Sequence, residues 1–110
     1  MGNNEFEKGT KFSYSKRISY SEKAVVSKQV IKNEAGSISL FAFDKGEGLT
    51  EHTSPYDAVV QIVEGKADIM IKGVSNILET GDTIIMPANV PHSLTAVEKF
   101  KMVLTMIKGK

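Results

Sequence analysis

The chain contains two histidines, His52 and His92, and no cysteine. Imidazole changes charge near neutral pH, and its neutral form is a good ligand for transition metals. Both histidines stand in similar local settings. His52 follows the glycine loop Lys45-Gly46-Glu47-Gly48 and precedes Ser54-Pro55, a turn-favouring dipeptide. His92 follows a Gly81-Asp82 turn, the apolar residues 83–86, and the two prolines Pro87 and Pro91. Any chemistry this chain performs is expected to pass between these two side chains. Ser54 is no rival as a nucleophile, because no base with an orienting partner accompanies it.

Strands must position those residues. Segments 25–31, 37–44, 49–53, 58–63, 66–72, 74–78, 83–86, 92–97 and 100–107 are rich in β-branched residues or alternate in polarity. Glycine or proline signals stand at most of the junctions. Glu64-Gly65 reads as a tight hairpin joining 58–63 to 66–72. Ala58, Val60 and Ile62 share one face of their strand, and Gln61 lies on the other. No helical period is sustained. Short strands at near-regular spacing predict an all-β sandwich or barrel of two sheets. Segments 37–44 and 100–107 are apolar on both faces, which predicts a covered outer surface and a homodimer. Met70, Met86, Met102 and Met106 read as core filler rather than thioether ligands.

At 110 residues, the chain is the size of one domain with its own core. An N-terminal arm is expected over residues 1–24, with Tyr14, Ile18 and Tyr20 as candidates to dock on a sheet; the barrel is expected over 25–110. No apolar run approaches the roughly 18 residues that span a bilayer, and the first residues lack a signal-peptide apolar region. The expected location is the cytoplasm, with no membrane partner. Residues 1–32 carry seven Lys/Arg against three acids, whereas 33–97 carry three against nine. The lysines are scattered and come with no nucleic-acid-binding motif, so no nucleic-acid partner is expected. The acidic centre suits a cation or a neutral small-molecule ligand.

Two blocks carry a family resemblance. Gly46 is followed by five residues and His52, and the block closes on Gly65; the second block sets Gly81, Pro87 and His92 in register. These positions resemble the paired motifs of the cupin superfamily, G-x5-H-x-H-x3,4-E-x6-G and G-x5-P-x-G-x2-H-x3-N. The resemblance covers most of residues 25–107. It implies a small single-domain cupin barrel, the double-stranded β-helix or jelly roll. The family's usual metal set is three His and one Glu on the inner face of the barrel. Here Ser54 occupies the second His position and Ala58 the Glu position, while Asn89 replaces a glycine and Ala96 the final Asn.

The resemblance therefore implies a metal site reduced to His52 and His92, for a divalent ion such as Zn, Ni, Fe, Mn or Cu. Asp57 and Glu51 each lie one residue out of phase, so regular strand geometry turns them to the opposite face. The other reading of the two histidines is a pocket lining, hydrogen-bonded to Thr53, Ser54 or Tyr56. Ser54, Ala58, Val60 and Ile62 are the expected pocket residues, forming a small apolar cavity with histidines at one end. The expected function is binding of a small, largely apolar ligand, with or without a weakly held metal. The alternatives are a metal-dependent enzyme of the dioxygenase, isomerase or decarboxylase type, and an interaction module without chemistry. Catalytic residues cannot be named, because one fold hosts many functions.

Overall fold

Alternation of apolar and polar residues lets a strand bury one face, and here it builds nine strands. The structure, a computed structural model, describes residues 5–108. The strands are β1 (Val25–Asn33), β2 (Gly36–Phe43), β3 (Gly48–His52), β4 (Asp57–Glu64), β5 (Lys66–Ile71), β6 (Val74–Glu79), β7 (Thr83–Met86), β8 (His92–Ala96) and β9 (Phe100–Ile107). Each coincides with an expected segment to within two residues at either end. The single helical element among the described residues is a 3-10 turn at Tyr14–Lys16.

The strands form two antiparallel sheets, in the orders β1-β2-β9-β4-β7 and β3-β8-β5-β6. This is the expected jelly roll. Its core lies between the sheets and includes the fully buried Phe43, Val60, Ile62, Ile69, Phe100 and Met102. The Phe43 and Phe100 rings stack at 4.5 Å between centroids, adding aromatic contact to the area buried. Ala58, Val60 and Ile62 all point into this core, while Gln61 is exposed, as the strand period requires.

Glu64-Gly65 is not a hairpin. β4 pairs with β7 and β9, whereas β5 pairs with β6 and β8, so the turn carries the chain from one sheet to the other. Gly65 has φ +97, and a Cβ there would sit 2.1 Å from the Lys99 carbonyl oxygen and 2.6 Å from the Phe100 Cα. Both the backbone conformation and the close approach of two chain segments demand glycine.

The outer face of the larger sheet is covered by the chain itself. Ile18 is buried against Leu40, Ala42 and Val103, with Tyr14 and Tyr20 packed around them. Two lysines on the sheet hold this segment by its backbone. Lys28 Nζ donates to the Arg17 carbonyl and Lys101 Nζ to the Ser15 carbonyl, each at 2.6 Å. The Tyr20 hydroxyl donates to Glu64 at 2.7 Å, and burial together with that carboxylate pushes the phenol pKa upward. The N-terminal segment thus covers the part of the second face of β2 and β9 around Leu40, Ala42 and Val103, while Ile107 at the end of β9 is exposed.

Gly65→Ala combines a positive φ with a steric clash, and forced backbone and overpacking each cost about 1–3 kcal/mol. A drop in melting temperature of roughly 10 °C or more is expected. Gly73 also has positive φ but has nothing within 4 Å of a built Cβ, so Gly73→Ala should lose clearly less. Equal losses in the two variants would show that the crossing at Gly65 is not tightly packed. For the arm, Ile18→Ala is expected to cost roughly 2–4 kcal/mol. Limited proteolysis should then cut within residues 5–24 before the barrel. Unchanged cleavage kinetics would mean the segment is not held by Ile18.

Candidate functional site

The site begins with a register. β3 and β8 are neighbours, and His52 is paired directly opposite His92 across the two strands. Directly opposed residues project from the same face of a sheet, so both imidazoles line one cavity, His92 buried within it and His52 exposed at its mouth. A bulge between Leu49 and His52 shifts the register. Three residues apart, Leu49 and His52 would face opposite ways in a regular strand; the bulge lets both reach one cavity.

The loop that delivers His92 is tied down from the β4 side. The Asp57 carboxylate accepts the Ala88 N–H at 2.8 Å, and the Ser54 carbonyl accepts the Asn89 N–H at 2.7 Å. Asn89 adopts φ +64, so it fills the motif's glycine position by its own tolerance of that region. Asp57 therefore supports the loop and does not enter the cavity. Glu51 is exposed.

Each ring is oriented by a main-chain carbonyl two residues earlier. His52 Nδ1 lies 2.7 Å from the Thr50 carbonyl and His92 Nδ1 lies 3.1 Å from the Val90 carbonyl. These partners are main-chain carbonyls, not the hydroxyls of Thr53, Ser54 or Tyr56. A carbonyl only accepts, so each Nδ1 carries the proton and each neutral ring presents a bare Nε2 lone pair. The two Nε2 atoms lie 3.2 Å apart, with ring centroids at 4.4 Å and planes at 72°. Two facing lone pairs repel, and a metal cation between them would relieve that repulsion. Burial, the largest effect, lowers the pKa of His92; the Val90 carbonyl opposes this and His52 adds to it.

This donor pair fits a transition metal. An ion about 2.0–2.1 Å from both nitrogens would see them at roughly 100°, between octahedral and tetrahedral angles. It supplies two protein ligands only. Among the described residues no group of three or more His, Cys, Asp or Glu is placed to hold a metal.

Beside the imidazoles lies a cavity of about 100 Å³. Ser54 and Ala58 line it. Val60 and Ile62 do not: both are fully buried deeper along β4 among the core side chains. The rest of the wall comes from Leu49, Leu94, Leu104 and three methionines, Met86, Met102 and Met106. Period-two alternation put Met102, Leu104 and Met106 on one face with Phe100, but depth along the barrel is not encoded in that period.

The fold and the paired blocks define a double-stranded β-helix barrel with an inward-facing histidine pair. Residues 39–108 match the family described as cupin domain, and the chain belongs to it. A conserved Streptococcus pyogenes protein of unknown function is 33% identical, with a TM-score of 0.91 over 98% of this chain and 94% of that one. A Cupin 2 conserved barrel domain protein from Leptotrichia buccalis is 31% identical at a TM-score of 0.84, over 88% of this chain and 47% of that longer one. A cupin superfamily protein from Desulfitobacterium hafniense shares the fold at 24% identity and a TM-score of 0.87, over 94% of both chains. No curated protein matches the chain.

The lowered His92 pKa has a signed consequence. The folded state resists protonating this ring, so its contribution to stability is full above the ordinary value near 6.5 and is lost as pH falls toward the lowered one. Urea midpoints of metal-free protein, measured from about pH 8 to about pH 5, should fall across that window. His92→Gln should flatten the slope there; an identical slope in the variant would remove His92 as its source.

Proposed function

We propose that this cupin domain binds a small, largely apolar molecule beside a transition-metal ion anchored by His52 and His92. The observation that carries this reading is the approach of the two Nε2 atoms to 3.2 Å, each ring oriented by a main-chain carbonyl at its Nδ1. The cavity next to them is far smaller than the roughly 300–1,000 Å³ of drug-sized sites, so it accepts a small molecule or the end of a larger one. Leucines and methionines along its wall exclude water and favour apolar groups. Ser54 Oγ accepts the Tyr56 N–H at 3.3 Å, which leaves its own proton to donate into the cavity. A metal held there supplies a Lewis acid for an oxygen or nitrogen of the ligand.

A metal-dependent enzyme is the second reading. It is favoured by the same incompleteness: with Ser54 and Ala58 at two ligand positions, coordination sites stay open toward the cavity.

Elemental analysis of untagged protein, followed by titration with Fe, Mn, Ni, Cu and Zn, tests the site. Near-stoichiometric binding is expected, weakened roughly 100-fold or more in both His52→Ala and His92→Ala. Undiminished binding in either variant would sink the shared site. Consumption of oxygen or of a candidate substrate by loaded protein, absent from the variants, would select the enzyme reading.

A further inference from the structure

We infer that the metal this site selects is monovalent copper, held by the two imidazoles and by methionine thioethers from the opposite sheet. The inference rests on the His52–His92 reading above and names the ion. Its basis is the register around Ala58. On β4, Ala58 is paired with Met86 of β7 on one side and with Met106 of β9 on the other. All three line the cavity that His52 and His92 line from the second sheet. At the position where the motif carries a carboxylate, this chain has a methyl group flanked on both neighbouring strands by a thioether. Met102, two positions deeper toward the core than Leu104, adds a third sulfur to the same wall, so three of the methionines that the sequence reads as core filler face the histidines' cavity.

Three physical arguments converge on a soft ion of low charge. Thioethers are soft donors that favour Cu(I), whereas Mn, Fe and Zn sites are completed by carboxylate, imidazole or thiolate. Every donor in the cavity is neutral. Asp57 is turned to the Ala88 N–H and Glu51 is exposed, so no carboxylate offsets the charge of a bound ion. The cost of placing an ion against an apolar wall rises with its charge, and a monovalent ion keeps it small even though His52 leaves the mouth open to solvent. Cu(I) also accepts low coordination numbers, which two imidazoles and one or two thioethers satisfy. Methionine is flexible enough for its sulfur to move toward an ion without backbone movement.

The test is an oxygen-free titration of untagged protein with Cu(I) against a Cu(I)-binding dye, alongside Zn(II) and Ni(II), with X-ray absorption on the copper-loaded form. The expected result is one tightly held Cu(I) showing both nitrogen and sulfur scatterers. Met86→Leu combined with Met106→Leu should remove sulfur scattering and weaken Cu(I) roughly tenfold or more, leaving Zn(II) affinity unchanged. Leucine conserves volume, and the single variants serve if the double does not fold. A copper spectrum without sulfur, or variants that bind Cu(I) as tightly as the parent, would overturn the inference. If Zn(II) or Ni(II) binds through both histidines while Cu(I) does not, the inference falls and the metal site stands. If no metal binds, both fall.

Discussion

Strand β9 must satisfy two apolar surfaces at once, and most of the structure is arranged around that demand. It lies in the middle of the larger sheet, paired to β2 on one side and β4 on the other. Its inward residues, Phe100, Met102, Leu104 and Met106, supply the ring stack at one end of the barrel and the cavity wall at the other. Its outward residues, Lys101 and Val103, meet the N-terminal segment. A strand buried on both faces needs a covering layer, and residues before β1 provide it. The same demand explains Gly65. The chain crosses between sheets against the start of β9, so close to Phe100 that a side chain at that position has no room.

At the opposite end of the barrel, the geometry of the histidine pair is set by hydrogen bonds to main-chain carbonyls rather than by charge. Each histidine spends Nδ1 on the carbonyl two residues earlier in its own chain, and cross-strand pairing then aims both Nε2 atoms at the same point. The outcome is two Nε2 atoms 3.2 Å apart at the mouth of the cavity. Around it, the wall is apolar and thioether-rich, with Ala58 where a carboxylate would have brought negative charge. Relative to the cupin motif, the chain has histidines at two of the four ligand positions and Ala58 at the carboxylate position.

The strand pattern, the two-sheet architecture and the family were legible in the sequence. Period-two alternation and turn residues are local signals, and the spacing of Gly46, His52, Gly65, Gly81, Pro87 and His92 survives intact. The out-of-phase positions of Asp57 and Glu51 were equally readable, since face is decided by parity alone. What a period cannot carry is depth and sheet membership. It gave Ala58, Val60 and Ile62 the same status, whereas only the first reaches the cavity, and it made a hairpin of a crossing between sheets.

The sequence by itself determined which residues alternate inward and which two side chains are the candidate ligands, because both follow from local alternation and residue type. Tertiary structure alone decided that the two Nε2 atoms lie 3.2 Å apart and that a bulge brings Leu49 and His52 onto one wall. It also decided that Met86 and Met106 flank Ala58. These are relations between strands distant in the chain. They are set by hydrogen-bond register across the sheets, which no single strand's pattern contains.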